Sequence, residues 1–224
     1  MTPQQALAQL EALAEPVKAA EMAAYHKRER PYLGVSNPQI DVLYKEWRKE
    51  TDIPQRIEIA AFLWDSNIHE ARIAAAKLLT QARINPDDAV WDEICRWVPQ
   101  FDAWAIADHA CGAGARRLFL NAKRLDQVES WTEDENFWVR RAALVITLPW
   151  TKSTHPKPAE LAQRERILSW AGEYVADSEW FIQKSVSWWL RSLSKHDPDR
   201  VRHFLETFGP AMKPFARKDA AVYL

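Results

Sequence analysis

The stretch Ile68-His-Glu-Ala-Arg-Ile-Ala-Ala-Ala-Lys-Leu-Leu79 points most directly to the fold class. Its small and aliphatic residues recur at the 3.6-residue period that gathers side chains on one buried stripe of an α-helix. Similar segments recur along the chain. The chain has only five glycines against 47% hydrophobic and 27% charged residues. Few residues are therefore available for the turns of a β-sandwich or for a dinucleotide-binding loop, and an all-α fold is expected.

Three segments share an acidic or polar entry, an aromatic or aliphatic pair, and a cation seven residues after an aspartate. They run from Asp65 to Arg72, from Asp134 to Arg141 and from Asp177 to Lys184. The first two starts are 69 residues apart and the last two are 43 apart, and the longer interval holds one more helix pair around residues 101–119. The average repeat is close to the roughly 40 to 47 residues of HEAT or armadillo units, whose stacked helix pairs expose one curved surface.

Proline and Asx residues begin helical segments at regular intervals, and short polar gaps end them. The longest interruption, residues 151–158, is interpreted as a loop between repeats, so residues 1–224 are expected to form a single domain. The predicted helices cover residues 3–13, 15–29, 38–50, 54–64, 67–83, 87–97, 101–119, 122–131, 135–149, 158–175, 179–195, 198–207 and 210–222.

The composition also indicates where the protein is located and whether it binds a membrane or a metal. Two cysteines and an N-terminus without a secretory pattern favour a cytoplasmic location. The sequence contains no run of about 18 apolar residues, and no CxxC or HExxH spacing. We therefore expect neither a membrane partner nor a bound metal.

Net charge is only −1, which by itself argues against a nucleic-acid partner. The charges are unevenly distributed, however. The tract 181–224 has eight Lys/Arg against four Asp/Glu, and two further basic islands are Arg116, Arg117, Lys123 and Arg124, and Lys27, Arg28 and Arg30. Each island alone is typical of a solvated helix surface, but together they could form one DNA-binding face.

Twelve tryptophans are many for this length, and several lie beside charged residues. Most are expected in the core, but an indole face can also stack on a base or attract a cation. Trp104 and Asp108 are four residues apart, so a carboxylate and an indole would share one helix face. The alternative for Asp108 is an ordinary surface carboxylate. His109 and Cys111 diverge around the helix and are rejected as a base–nucleophile pair.

Four segments resemble the AlkD-like alkylpurine DNA glycosylases: the first resembles the opening helix and following turn of that family, and the other three resemble its signature helices in the right order and spacing. They are MAAYHKRERPYLGV (22–35), FDAWAIADHA (101–110), DENFWVRRAAL (134–144) and EWFIQKSVSWWLR (179–191). With the repeats, the similarity covers essentially the whole chain. It implies a right-handed superhelical solenoid of HEAT/ARM-like helix pairs with a concave basic groove for DNA.

The resemblance implies that Trp104, Asp108 and Trp188 form the active-site cleft, with Arg141 and Tyr25 beside the lesion-bearing strand. In that role Asp108 would stabilise an oxocarbenium-like sugar and orient water, the indoles would attract the cationic nucleotide, and Arg141 would hold a phosphate. Arg141 could instead be a structural residue between repeats. Further DNA contacts are expected from basic residues on the same face: Lys184, Arg191, Arg217, Lys218 and Arg116.

The expected activity is hydrolysis of N3- or N7-alkylated purines, such as 3-methyladenine and 7-methylguanine, from double-stranded DNA. A monomer without cofactor, metal or obligatory protein partner is expected, and the resemblance implies recognition without base flipping. One departure is Ala105, since family members have an acidic residue directly after the motif tryptophan. The alternatives are a non-catalytic binder of branched or distorted DNA and a repeat scaffold for a protein partner, which would need an acidic or apolar concave face.

Overall fold

The computed structural model describes residues 1–224 and is built from helices alone, which confirms the all-α prediction. No helix combines the length and the apolar character needed to span a membrane. Six short 3-10 turns lie between or after the helices. The thirteen α-helices are α1 (Pro3–Glu11), α2 (Pro16–His26), α3 (Asn37–Glu50), α4 (Ile53–Asp65), α5 (His69–Leu79), α6 (Asp88–Trp97), α7 (Trp104–Leu120), α8 (Leu125–Ser130), α9 (Phe137–Val145), α10 (Pro158–Glu173), α11 (Trp180–Ser194), α12 (Pro198–Phe208) and α13 (Pro214–Ala220).

The helix starts follow from local sequence. Seven helices carry proline at their first or second position, where the missing N–H has no intrahelical partner to lose. Before α1 and α4, the side chains of Thr2 and Asp52 accept hydrogen bonds from the backbone N–H groups of Gln5 and Gln55. Each glutamine side chain bonds back to the cap, which completes a capping box.

Every predicted helix is present, with differences at the ends. The last is shorter than the predicted 210–222, because residues 209–211 form a 3-10 turn and Lys213 is extended before Pro214. Helix α8 occupies only the middle of the predicted 122–131, since 3-10 turns flank it on both sides.

The chain divides into two compact units, Met1–Arg117 and Leu118–Leu224. In unit 1, α5 is the central helix, and α3 and α4 pack against it. Only Lys77 of this helix is not buried. Glu70 is fully buried, but its carboxylate accepts hydrogen bonds from the backbone N–H groups of Leu33 and Gly34, at 2.9 and 2.7 Å, so the polar group is satisfied.

In unit 2, α11 is the central helix and contacts α9, α12 and α13. Buried Gln183 on α11 donates to three carbonyl oxygens in the segment that precedes the helix. Residues 151–158 lie within this unit. Buried Arg164 on α10 donates to the carbonyls of Trp150 and Ser153, which fastens the start of that segment to the helix that follows it.

The cation that recurs seven residues after an aspartate lies near a tryptophan ring in all three segments. The guanidinium of Arg72 lies 4.8 Å from the ring centroid of Trp64, and that of Arg141 lies 5.9 Å from Trp138. The ammonium of Lys184 lies 5.6 Å from the ring of Trp180. Each of the three segments therefore pairs its cation with an indole face, a contact that favours positive charge.

Candidate active site

Two residues just before α7, which starts at Trp104, contact other segments of unit 1. Phe101 is buried and its ring lies 6.1 Å from that of Trp64. Asp102 forms an ion pair with Arg30, whose side chain is only 1% exposed. The arginine comes from the segment after α2, so this pair links the start of α7 to the end of the helix that carries Tyr25.

Unit 1 brings Tyr25, Trp104 and Asp108 to one area. Tyr25 is 70% exposed and Trp104 is 38% exposed, and their rings meet edge to face at 6.5 Å. Asp108 is half-buried one turn after Trp104 on α7, so the carboxylate and the indole share a helix face as their spacing predicts. Arg116, two further turns along the same helix, is exposed.

Histidines beside Trp104 were not among the predicted site residues. The ring of His26 lies 5.8 Å from Trp104 and 4.3 Å from His69, and the ring of His69 lies 4.9 Å from Tyr32. His109, on α7, is half-buried nearby. His26, His69 and His109 are 43 and 40 residues apart, which is close to the repeat length. That spacing is the signal in the sequence that could have identified them.

Burial keeps these imidazoles neutral. It lowers the pKa of His69 to about 3, with smaller contributions from the nearby His26, Arg30 and His109. Burial is also the largest cause of the lowered pKa of His26 and of His109. At neutral pH the area beside Trp104 therefore presents uncharged imidazole and aromatic rings.

In unit 2, Trp188 and Trp189 lie on different sides of α11. Trp189 is completely buried, and its indole N–H donates to the hydroxyl of Thr147 at 3.2 Å. Trp188 is half-buried and retains exposed surface. Arg141, on the adjacent α9, is only 5% exposed. A phosphate could reach this guanidinium only at its edge, and such burial also fits the alternative that Arg141 is structural.

The proposed DNA-binding cations of unit 2 have different surroundings. Arg191 pairs with Asp219, whose other carboxylate oxygen accepts from the hydroxyl of Ser187 at 2.7 Å and lies 3.9 Å from the ammonium of Lys184. Arg217 and Lys218, on α13, are exposed. Within the basic tract 181–224, the two cations of α13 are therefore the most accessible to a DNA phosphate.

In two of the basic islands, some arginines are buried or paired inside the protein and are not available to bind DNA. Arg117 is fully buried, where it lies 3.4 Å from the Asp87 carboxylate and donates to the carbonyls of Gln81 and Ala82. Arg124 is 8% exposed and Arg30 is paired with Asp102. The expectation that whole islands form a DNA-binding face is therefore wrong for these three arginines. Arg116, Lys123, Lys27 and Arg28 remain at least partly exposed.

Solved structures of other proteins share this fold. A predicted DNA alkylation repair enzyme from Enterococcus faecalis has a similar structure, with a TM-score of 0.77, 24% identity, and coverage of 94% of this chain and 96% of that one. AlkD2 from Streptococcus mutans matches with a TM-score of 0.62 and 18% identity, over 85% of this chain and 91% of that one.

An alkylpurine DNA glycosylase, AlkC of Pseudomonas fluorescens, solved bound to DNA with an abasic site analogue, matches with a TM-score of 0.52 and 18% identity, over 98% of this chain and 61% of that one. At these identities the likeness concerns the fold. No curated protein matches the sequence. The sequence model of the DNA alkylation repair enzymes, however, matches residues 6–224, and this chain therefore belongs to that family.

Proposed function

We propose that this protein is a DNA glycosylase that hydrolyses the N-glycosidic bond of positively charged N3- and N7-alkylated purines in duplex DNA. The observation that carries the proposal is the half-buried carboxylate of Asp108, one helical turn from the exposed indole of Trp104, which in turn meets the exposed ring of Tyr25. A carboxylate next to aromatic faces attracts a cation, and the alkylated nucleotide is one.

The chemistry needs few groups. Alkylation at N3 or N7 gives the purine a positive charge, so the base can leave without being protonated. The C1′–N bond breaks, its electron pair neutralises the departing base, and water bonds to C1′ and loses a proton to solvent. The sugar passes through an oxocarbenium-like state, which the Asp108 carboxylate stabilises electrostatically while it orients the water.

In this proposal, residues of unit 2 also contact the damaged DNA. Trp188 keeps exposed indole surface on α11, whereas its neighbour Trp189 is committed to the core. In the proposal Trp188 contacts the cationic nucleotide, and the edge of Arg141 meets a phosphate. Further contacts to the DNA backbone, which depend on charge and not on base sequence, let recognition proceed without flipping of bases. They come from Lys184, Arg191, Arg217 and Lys218, and from Tyr25 and Arg116 of unit 1.

Substitution of Asp108 by asparagine tests the assigned role. The change preserves shape and removes the negative charge, so release of free 7-methylguanine from methylated duplex DNA should stop. Affinity for the duplex should be unchanged or higher, because a charge that repels phosphates has been removed. Chromatography of the released base and fluorescence anisotropy of labelled DNA measure the two quantities.

Asp199→Asn is a matched control, since Asp199 is an exposed carboxylate on α12 that pairs with Arg202. This variant should release base like the unchanged protein. Undiminished release by Asp108→Asn would overturn the role of the carboxylate. If the unchanged protein releases no base yet binds duplex DNA with a steep salt dependence, the protein is a non-catalytic DNA binder instead.

A further inference from the structure

A cavity of about 270 Å³ lies beside Trp104 in unit 1. Its wall combines exposed residues, such as Tyr25 and Trp104, with fully buried ones, such as His69 and Ile40, so it extends from the surface into the unit. The volume is just under the roughly 300 to 1,000 Å³ of sites for drug-sized ligands. A cavity of this size suits a single bicyclic ring better than a nucleotide.

The cavity touches the proposed catalytic face. Ala105 and His109 line it, and both lie on α7 with Asp108. Residues three and four apart are surface neighbours on a helix, so Asp108 is adjacent to Ala105 and to Trp104, which also lines the cavity. Ala105 contributes only a methyl group, which leaves this space open next to the carboxylate.

The chemistry of the wall selects the ligand. None of the residues that line the cavity is Lys, Arg, Asp or Glu, so nothing there would neutralise a phosphate. The rings of Tyr25, His26 and Trp104 offer surfaces on which a planar aromatic ligand can stack. A neutral or weakly charged heteroaromatic ring fits this wall, and a sugar phosphate does not.

Two polar atoms in the wall residues lack partners. The Nδ1 atoms of His26 and His69 are buried and make no hydrogen bond, and His69 as a whole is 1% exposed. Burial lowers the pKa of both imidazoles, so each keeps one nitrogen acceptor and one N–H donor at neutral pH. Unsatisfied polar atoms of this kind cost free energy unless a ligand or water meets them. The edge of a purine presents both ring-nitrogen acceptors and exocyclic N–H donors.

We propose that this cavity is a binding subsite for a purine base, held between aromatic rings and hydrogen-bonded to His26 and His69. The choice of a purine rests on the proposed glycosylase function. The base enters the subsite after its release from the strand, because the proposed mode of recognition does not flip a base out of the stack.

The first experiment uses the full, unchanged protein and free 3-methyladenine, followed by NMR of the histidine rings. The chain has six histidines, of which His26, His69 and His109 line the cavity, whereas His155, His196 and His203 lie elsewhere. Saturable shifts confined to the first three are expected, with no such shifts from inorganic phosphate. Shifts spread over all six, or none, would overturn the proposal.

Calorimetric titration of two variants with 3-methyladenine provides a second test. The substitution Ala105→Leu fills the cavity next to Asp108 and should weaken binding by at least about tenfold, because the added side chain occupies the space of the base. Ala24 is exposed on α2 and does not line the cavity, so Ala24→Leu should bind like the unchanged protein. Equal binding by both variants would contradict the subsite.

A duplex containing 2-aminopurine tests whether only released base enters the cavity. Its fluorescence should stay low when the protein binds, and a rise would show that an attached base leaves the stack, which would contradict both recognition without flipping and a subsite for released base alone. Base binding is measured without turnover, so the subsite can hold even if no base is released from methylated DNA. Conversely, release of base by a protein that binds no free base would leave the glycosylase function intact and remove the subsite.

Discussion

Among single residues, His69 shows how burial sets chemistry. Its ring lies 4.3 Å from that of His26 and 4.9 Å from that of Tyr32, and 1% of the residue is exposed. Protonation would place a charge in this setting, near the cation of Arg30, and the pKa is lowered accordingly, to about 3. The neutral imidazole of His69 that favours binding of a base therefore also affects the free energy of unfolding.

Acid stability should depend on His69. An unfolded histidine has a pKa of about 6.5, so between pH 6.5 and about 3 the unfolded chain binds more protons than the folded protein. Stability therefore falls as the pH drops through this window, and this group has no effect above it. Replacing His69 by glutamine should make the pH dependence of the unfolding free energy shallower, by at most about 1.4 kcal/mol per pH unit.

Urea denaturation at a series of pH values measures that slope. His203→Gln is the control, because His203 is exposed on α12 and its replacement should leave the slope unchanged. A slope for His69→Gln equal to that of the unchanged protein would show that the buried imidazole does not resist protonation.

Among the helices, the position of α2 depends on the turn that follows it. The backbone N–H of Glu15, just before α2, donates to the carbonyl of Leu33 at 2.7 Å, and Gly34 adopts a φ of +78°. A Cβ atom on Gly34 would lie 2.4 Å from the carbonyl oxygen of Glu15 and 2.7 Å from the backbone nitrogen of Ala19. Only glycine fits between this turn and the first turn of the helix that carries Tyr25 and His26.

Gly34→Ala should therefore destabilise the protein by roughly 1 to 3 kcal/mol, from the strained φ together with the displaced backbone. Gly112→Ala is the matched control, since Gly112 lies within α7 with no atom within 4 Å of an added Cβ. Alanine at that position should raise stability by about 0.5 to 1 kcal/mol. Thermal unfolding compares the two, and a Gly34→Ala variant that melts with the unchanged protein would refute the account of this turn.

Prediction of the helices from sequence succeeded because the signals are local. The apolar period, the prolines at helix starts and the capping boxes of α1 and α4 all act within a few residues. Boundaries such as that of α13 were less accurate, since a 3-10 turn at 209–211 and a helix are both compatible with the same short segment.

For the molecule as a whole, a net charge of −1 must be reconciled with the proposed binding of a polyanion. This is possible because some cations are paired with carboxylates of the protein, whereas others are exposed and belong to no ion pair. Arg200 pairs with Glu165 at 2.8 Å and Arg202 with Asp199 at 2.6 Å, whereas Arg217 and Lys218 are exposed and belong to none of the ion pairs of the structure. The second group can exchange counterions for phosphates without breaking an internal ion pair.

Two double variants with equal changes in net charge test this division. Replacing both Arg217 and Lys218 by glutamine should weaken binding to duplex DNA and reduce the slope of log affinity against log salt by about 0.9 for each phosphate that is no longer neutralised. Replacing both Arg200 and Arg202 by glutamine should leave the slope close to that of the unchanged protein. Anisotropy titrations at several salt concentrations measure both, and equal effects would show that total charge alone governs binding.

Local sequence was sufficient to predict the thirteen helices and the common face of Trp104 and Asp108, because helical periodicity, capping and four-residue spacing depend on near neighbours along the chain. Tertiary packing alone determines that Arg30 and Arg117 serve internal pairs, and that three histidines about 40 residues apart meet beside Trp104. Those outcomes depend on burial and on contacts between segments that are distant in the sequence. Burial raises the free-energy cost of a charge and an opposite charge offsets it, and neither effect can be recognised from a local sequence pattern.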